Sequence, residues 1–398
     1  MDKPSVIVKL HGSPLITGTR YISEQLRCSL CNARYKAQLP PEIKNQPKYD
    51  ATCATAIAIA RYSSGLPFIR IEKLQQSQGI PLPDATQWDL MQKLYADAFP
   101  VVDCLITSGA NGNLVQYDDT PGCILENKFN KKATHTTAVI SKCDDHVIYL
   151  YFTGTNHAGK NADRIFSQRN TQDPVIVMVD ASPSNIPKEI DPELAARFIL
   201  CFCLVHGRRK FHEIFQCFEQ SCGFVLDIIS QVYQHERHCK DTKLNPQERL
   251  IYHQQHSGPL MQGLYLWLNN QLFYELSQEN SGLGQAISYM LRHFEPLTKF
   301  LRVAGAPLDN SWSERAIKIA IRHRRNSLFY KTSNGALVGD GLMSLIYTAS
   351  QNGVNVFDYL TTLQRYNKQV AAQPIQWLPW NYQKTLQAIT TLDVKNVA

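Results

Sequence analysis

The sequence predicts an α/β fold: a mixed sheet with flanking helices, interrupted by a long all-helical block and preceded by a helical N-terminal region. Three observations predict it. Short runs rich in β-branched and aromatic residues crowd between residues 101 and 181. Helical periodicity dominates before them, over 51–99, and again from 191 onward. The chain has 398 residues, enough for two or three domains around a sizeable core.

Residues 1–47 hold short β-like runs, a C-x-x-C pair (Cys28, Cys31) and a Pro40-Pro41 break. A helical region over 48–100 reads as three helices. Gly79 ends the second, and Asp84 with Gln87 has the spacing of a capping box for the third. A short Gly-containing turn between helices suits a helix-turn-helix, and an ordinary helical lead-in equally. The runs VVDCLI, LVQYDD, HTTAVISKC, HVIYLYFT and PVIVMVDA then read as strands of a core segment over 101–190. Asp144-Asp145 makes a tight turn, so the two runs it joins form a hairpin. A helical piece, ADRIFSQR at 162–169, precedes the last run. Strand, hairpin, helix, strand is the order of a mixed sheet with helices against it. Residues 191–305 read as all-helical, with Pro246 placed in a first turn. Residues 306–365 are helical again and return to the core, and 366–398 form a C-terminal tail.

Apolar residues make up 44% of the chain and charged residues 19%, ordinary for a soluble globular protein. No apolar run approaches the roughly 20 residues of a membrane span. No basic segment followed by a long apolar stretch opens the chain, so neither a secretory signal nor a membrane partner is expected. Eleven scattered cysteines suit a reducing cytoplasm better than a disulfide framework. Net charge is +7, and its placement is more informative than its size. Between Asp309 and Lys331, six Lys/Arg stand against two acids, and Arg208-Arg209-Lys210 forms a second basic knot. Such clusters suit a phosphate-rich partner, and equally a solvated helix face.

Asp118 closes the run LVQYD and Asp180 closes VIVMV. A carboxylate at the end of a buried strand sits at a sheet's rim, where ligands bind in open α/β sheets. Two such carboxylates on neighbouring strands repel unless a cation neutralises them. Oxygen ligands alone favour Mg²⁺ or Mn²⁺. A third carboxylate from a helix would complete two metal sites, about 3.5–4 Å apart, able to clamp an in-line displacement at phosphorus. Taken singly, each aspartate reads better as the cap of a turn or helix, and composition and spacing do not overturn that.

Several ordered motifs decide between these readings. Residues 309–331, DNSWSERAIKIAIRHRRNSLFYK, resemble the C-terminal catalytic signature of the insertion-sequence-66 family of transposases. SLIYTASQNGVNVFDYL at 344–360 and LPWNY at 378–382 are similar to the blocks that follow it. Upstream, YDDTP, HAGKNADRI and CLVHGRRKF resemble the family's motifs around and after the first aspartate. The resemblance runs from about residue 26 to 382. It implies a ribonuclease-H-like core, with the helical block as an insertion before the catalytic glutamate. It also implies an acidic triad of Asp118, Asp180 and Glu314 holding two Mg²⁺ (or Mn²⁺). Asp119 stands where the family has Glu, and Asp118 is taken as the ligand. Cys203 and His206 resemble a C-x-x-H placed near DNA; the alternative is a core cysteine and a helix-face histidine.

The implied activity is metal-dependent phosphodiester cleavage at the ends of a mobile element, followed by strand transfer into target DNA. Arg315, Lys318, Arg322, Arg324 and Arg325, with His206, Arg208 and Arg209, are the implied DNA contacts. The implied partners are the element's terminal inverted repeats, target DNA, further copies of the chain on DNA, and element-encoded accessory proteins. The implied location is the bacterial cytoplasm, at the nucleoid. Family members carry two C-x-x-C pairs, and this chain has one. Four ligands close a structural zinc site, and His11 is the only further candidate nearby, so Cys28 and Cys31 are expected to form a degraded half-site. That departure keeps a second reading in view, a truncated or inactive remnant that retains DNA binding only.

Overall fold

The computed structural model describes residues 13–274 and 277–397. It divides into two compact units, one of residues 1–101 and 353–398, the other of 102–352. In the first, β1 (Gln25–Arg27) and β2 (Arg34–Lys36) pair as a small antiparallel hairpin. Helices α1 (Ala51–Ala58) and α2 (Phe68–Ser77) follow. Asp50 caps α1 by accepting from the Cys53 N–H at 2.9 Å. A helix over Val356–Arg365 packs on α1, joined by Thr361 to Thr55 at 3.1 Å and by Gln364 to Thr55 at 2.9 Å. Gly79 ends α2 as expected, with φ of +78°, a conformation that suits glycine.

Two expectations fail around the next helix, α3 (Asp84–Ala110). Asp84 is its first residue. The Gln87 side chain forms no capping box and donates instead to Leu82 O at 2.9 Å and Phe68 O at 3.1 Å. The run VVDCLI, expected as a strand, lies inside α3. The reason is the stripe it continues: Met91, Leu94, Ala98, Val101, Val102 and Leu105 are all buried at three- and four-residue spacing. Pro100 falls inside this helix and makes its second half look like a fresh element in sequence.

The second unit is built on β3 (Leu114–Pro121), β4 (His135–Cys143), β5 (His146–Gly154), β6 (Val175–Val179) and β7 (Phe198–Phe202). Their order across the sheet is β5-β4-β3-β6-β7. The first three run antiparallel; β6 and β7 run parallel to β3. Asp144-Asp145 turns the β4–β5 hairpin as expected, with Cys143 opposite His146. Helix α4 (Ala158–Phe166) joins β5 to β6. Strand β7 corrects the expectation that 191–305 is all-helical. FILCF is short, flanked by helix-compatible sequence, and becomes a strand because the edge of β6 is open to it.

Beyond β7 the chain is helical: α5 (Leu204–Glu213), α6 (Glu219–Asp241), α7 (Pro246–Phe273), α8 (Gly282–Arg292), α9 (Ser311–Ser327) and α10 (Ser333–Gln351). Asn245 and Glu248 form a full capping box at α7, with Pro246 in the first turn as expected. Buried Glu236 on α6 receives Arg249 at 2.7 Å and His253 at 3.0 Å from α7. Burial opposes its charge, but the His253 and Arg249 contacts outweigh burial and hold the carboxyl at about 2.

Helix α10 closes the sheet's free edge. The outward N–H groups of Val147, Tyr149 and Tyr151 on β5 each donate, at 3.0 Å, to Asn352, Thr348 and Ser344 in turn. Thr153 N–H donates to buried Asp340. Four helical residues rise about 6 Å, close to two residues of strand, so the two ladders stay in step. An edge strand is thereby satisfied without offering itself to another chain. Among the described residues no helix is long and apolar enough to cross a membrane.

Candidate active site

The β3–β6 register pairs Leu114 with Ile176 and Gln116 with Met178, so continuing it brings Asp118 level with Asp180. Both carboxylates leave the sheet at the same rim. Asn185, in the loop after β6, bridges them: its amide nitrogen donates to Asp180 Oδ1 at 2.6 Å and reaches Asp118 Oδ1 at 3.5 Å. Asp180 Oδ1 also accepts from the Ser182 N–H at 3.0 Å. Burial, then the Asp180 charge, pushes the Asp118 carboxyl up to about 7; Glu314 pushes the same way, while the Asp119 N–H that it accepts at 2.8 Å acts in the opposite sense.

Glu314 reaches this rim because β3 holds the start of α9. Buried Gln116 accepts from the Trp312 N–H at 3.3 Å and donates to Asp309 O at 3.4 Å. Asp309 accepts from Tyr233 of α6 at 3.1 Å and from the Ser311 N–H at 3.0 Å. Gln116 and Asp118 share a face of β3, so this clamp sets the first turn of α9 over Asp118. Ser311 is the first helical residue of α9, and no side chain caps the helix. Ala316, Ile317 and Ala320 are buried as the packing stripe.

Glu314, His206 and Cys203 have ligand atoms within 4.8 Å of one another. Burial lowers the His206 pKa, while Asp180 and Glu314 act in the opposite sense. Its Nδ1 is buried without a hydrogen-bond partner. Cys203 belongs to the core with Met178, Cys201 and Ala306. Burial pushes its thiol up to about 12.

Asp119 points elsewhere. Its Oδ2 accepts from His157 Nδ1 at 3.0 Å and from the Ala158 N–H at 3.3 Å, at the start of α4. Arg315, Lys318, Arg322 and Arg325 are exposed along one face of α9, and Arg208 and Arg209 are exposed on α5. Arg322 also donates to Tyr347 at 3.1 Å. Arg324 differs from its neighbours, because its guanidinium bonds Pro121 O and, at 3.4 Å, Thr120 at the end of β3. Cys28 and Cys31 flank the β1–β2 turn, and hydrogen bonds from the Cys31 and Leu30 N–H groups lower the Cys28 pKa. His11 lies outside the described residues.

Sequence reasoning missed Asn185 and Gln116. A signal for the first existed: two adjacent carboxylates need a donor between them, and Asn185 follows Asp180 in a polar turn. Asp118 and Asp180 form an acidic oxygen pair bridged by Asn185, while the ligand atom of Glu314 groups with those of His206 and Cys203; a negatively charged, oxygen-rich pair fits a hard divalent cation.

The fold and this rim define a mixed α/β protein with an acidic, cation-compatible centre at the carboxyl ends of parallel strands. The profile described as "Transposase IS66 family" matches residues 48–337, and the chain belongs to that family. Three relatives come from Sinorhizobium fredii and are titled uncharacterized proteins. The chain is 21% identical to y4hP over 93% of its own length and 69% of the relative. It is 25% identical to y4qI over 82% of its own length and 61% of the relative. It is 30% identical to y4jD over 46% of its own length and 36% of the relative.

Proposed function

We propose that this chain cleaves DNA at the ends of a mobile element and transfers the freed 3′ ends into target DNA. What supports the proposal is the Asp118–Asp180 pair bridged at one sheet rim, with Glu314 near enough to raise the Asp118 carboxyl, in a chain of this family. We assign the core to the ribonuclease-H-like class, with α6, α7 and α8 as an insertion between β7 and α9. The mixed sheet and the clamp between Gln116 and Trp312 support that assignment.

Asp118, Asp180 and Glu314 would hold two divalent ions, Mg²⁺ or Mn²⁺. Ions held there supply charge neutralisation for the attacking and leaving oxygens of an in-line displacement. Asp118, and not Asp119, is the ligand, because Asp119 is engaged by His157 and the first turn of α4. His206 lies beside Glu314 and is held largely neutral by burial, so it can accept a hydrogen bond or a proton at the rim. Arg315, Lys318, Arg322 and Arg325, with Arg208 and Arg209, would run along the DNA backbone and neutralise phosphates. The element's terminal repeats, target DNA and further copies of the chain are the proposed partners.

The test is incubation of the full chain with labelled element-end DNA. Cleavage that appears with Mg²⁺ or Mn²⁺ and is abolished by EDTA supports the reading. DNA binding without cleavage under either ion would favour the remnant that only binds.

A further inference from the structure

Asn185 is only 2% exposed, yet it stands between two carboxylates. Asp180 already accepts from the Ser182 N–H at the same Oδ1, and a carboxylate accepts and does not donate, so the amide turns its NH₂ toward it. The opposite end of the same amide, Oδ1, is then buried with no hydrogen-bond partner. A buried carbonyl without a partner is costly in an ordinary interior, typically by more than the hydrogen bond it lacks would return. The cost persists here because the surrounding loop dictates the position.

That loop is pinned at several points. The Asn185 N–H donates to Ser182 O at 2.9 Å, and the Ser182 and Ser184 hydroxyls share a 2.8 Å bond. The Gly159 N–H of α4 donates to Ser184 O at 2.9 Å. A Cβ at Gly159 would meet Ile186 O at 2.6 Å and Ser184 O at 2.8 Å, so only glycine lets the helix approach this closely. One turn later, Asp163 accepts from the Lys188 and Glu189 N–H groups, both at 3.0 Å. The HAGKNADRI segment therefore docks the loop that carries Asn185.

We propose that Asn185 is a positioning residue of the metal centre. Its NH₂ sets the spacing of Asp118 and Asp180 before a cation arrives. This inference rests on the metal reading of Asp118 and Asp180. Groups that orient metal ligands typically contribute 10–100-fold to metal affinity.

The test measures Mn²⁺ binding by electron paramagnetic resonance on the full chain, with unfolding followed in EDTA and in Mn²⁺. Asn185→Ala should bind Mn²⁺ about 10–100-fold more weakly than the parent. Asn185→Asp keeps the shape, removes the donor and adds a charge, so it should lose stability in EDTA and recover it in Mn²⁺. If Asn185→Ala does not fold, Asn185→Asp carries the test alone. Affinity of Asn185→Ala within about twofold of the parent, or an Asn185→Asp deficit that Mn²⁺ leaves unchanged, would overturn the inference. Asp180→Asn separates the two levels: Mn²⁺ binding that survives it undiminished sinks the metal reading itself.

Discussion

An acid kept at a rim for cation binding should weaken the cation-free fold, and Asp118→Asn measures by how much. The Asp118 carboxyl is pushed from its ordinary value of 3.8 to about 7, first by burial and next by Asp180. The folded state therefore holds a proton that the unfolded chain releases between about pH 4 and 7. The stability this proton contributes is fully present below 3.8 and is lost as pH rises through about 7. At about 1.4 kcal/mol per unit, the ionised carboxyl costs on the order of 4 kcal/mol at pH 8. Solvent relaxing around a charge at the rim brings the expected figure to about 2 kcal/mol. Asp118→Asn keeps the shape and removes the charge. In EDTA at pH 8 its urea midpoint should exceed the parent's by that amount. The gap should shrink to less than half at pH 5 and close below about pH 4. Urea titrations at three pH values, followed by tryptophan fluorescence, give the comparison. A variant no more stable than the parent at pH 8, or a gap that does not change with pH, would refute the reasoning.

Other consequences follow from the same geometry. Replacing Arg322 and Arg325 together should flatten the dependence of log DNA affinity on log salt by about one unit per lost phosphate contact; an unchanged slope would make this face merely solvated. Arg324→Ala should act on stability instead, because it strips bonds from Pro121 O and Thr120. Chemical denaturation should show a loss of about 1–3 kcal/mol. Gly159→Ala drives a Cβ into the backbone oxygens of Ser184 and Ile186 and should cost about 1–3 kcal/mol. A Gly159→Ala protein of parental stability would show that the loop yields at no cost.

The parts legible in the sequence were those whose local chemistry and tertiary fate agree. The β4–β5 hairpin has alternating β-branched residues and a two-residue acidic turn, and it folds accordingly. VVDCLI carries the same β-branched signature but sits at the end of a helical stripe, and the stripe prevails. FILCF lies in a helix-like neighbourhood and is a strand only through its long-range pairing with β6. Asp180 could be placed at a strand end because its β-run stops there, whereas β3 runs on past Asp118 to Pro121 and pairs Asp118 with Ala138. The clamp that holds the start of α9 against β3 was not legible. It depends on Gln116 meeting Trp312 across 196 residues, and a lone glutamine in a strand carries no sign of that partner. Asn185 stayed hidden because an asparagine after an aspartate reads as an ordinary turn.

The central claim is that three carboxylates at one rim perform DNA cleavage together. The direct measurement is cleavage of element-end DNA in Mg²⁺ by Asp118→Ala, Asp180→Ala and Glu314→Ala, each beside a DNA-binding titration. The account predicts that all three lose cleavage while binding DNA within a fewfold of the parent, on the order of 1 kcal/mol. Parental-rate cleavage by any one of them, Glu314→Ala above all, would contradict it.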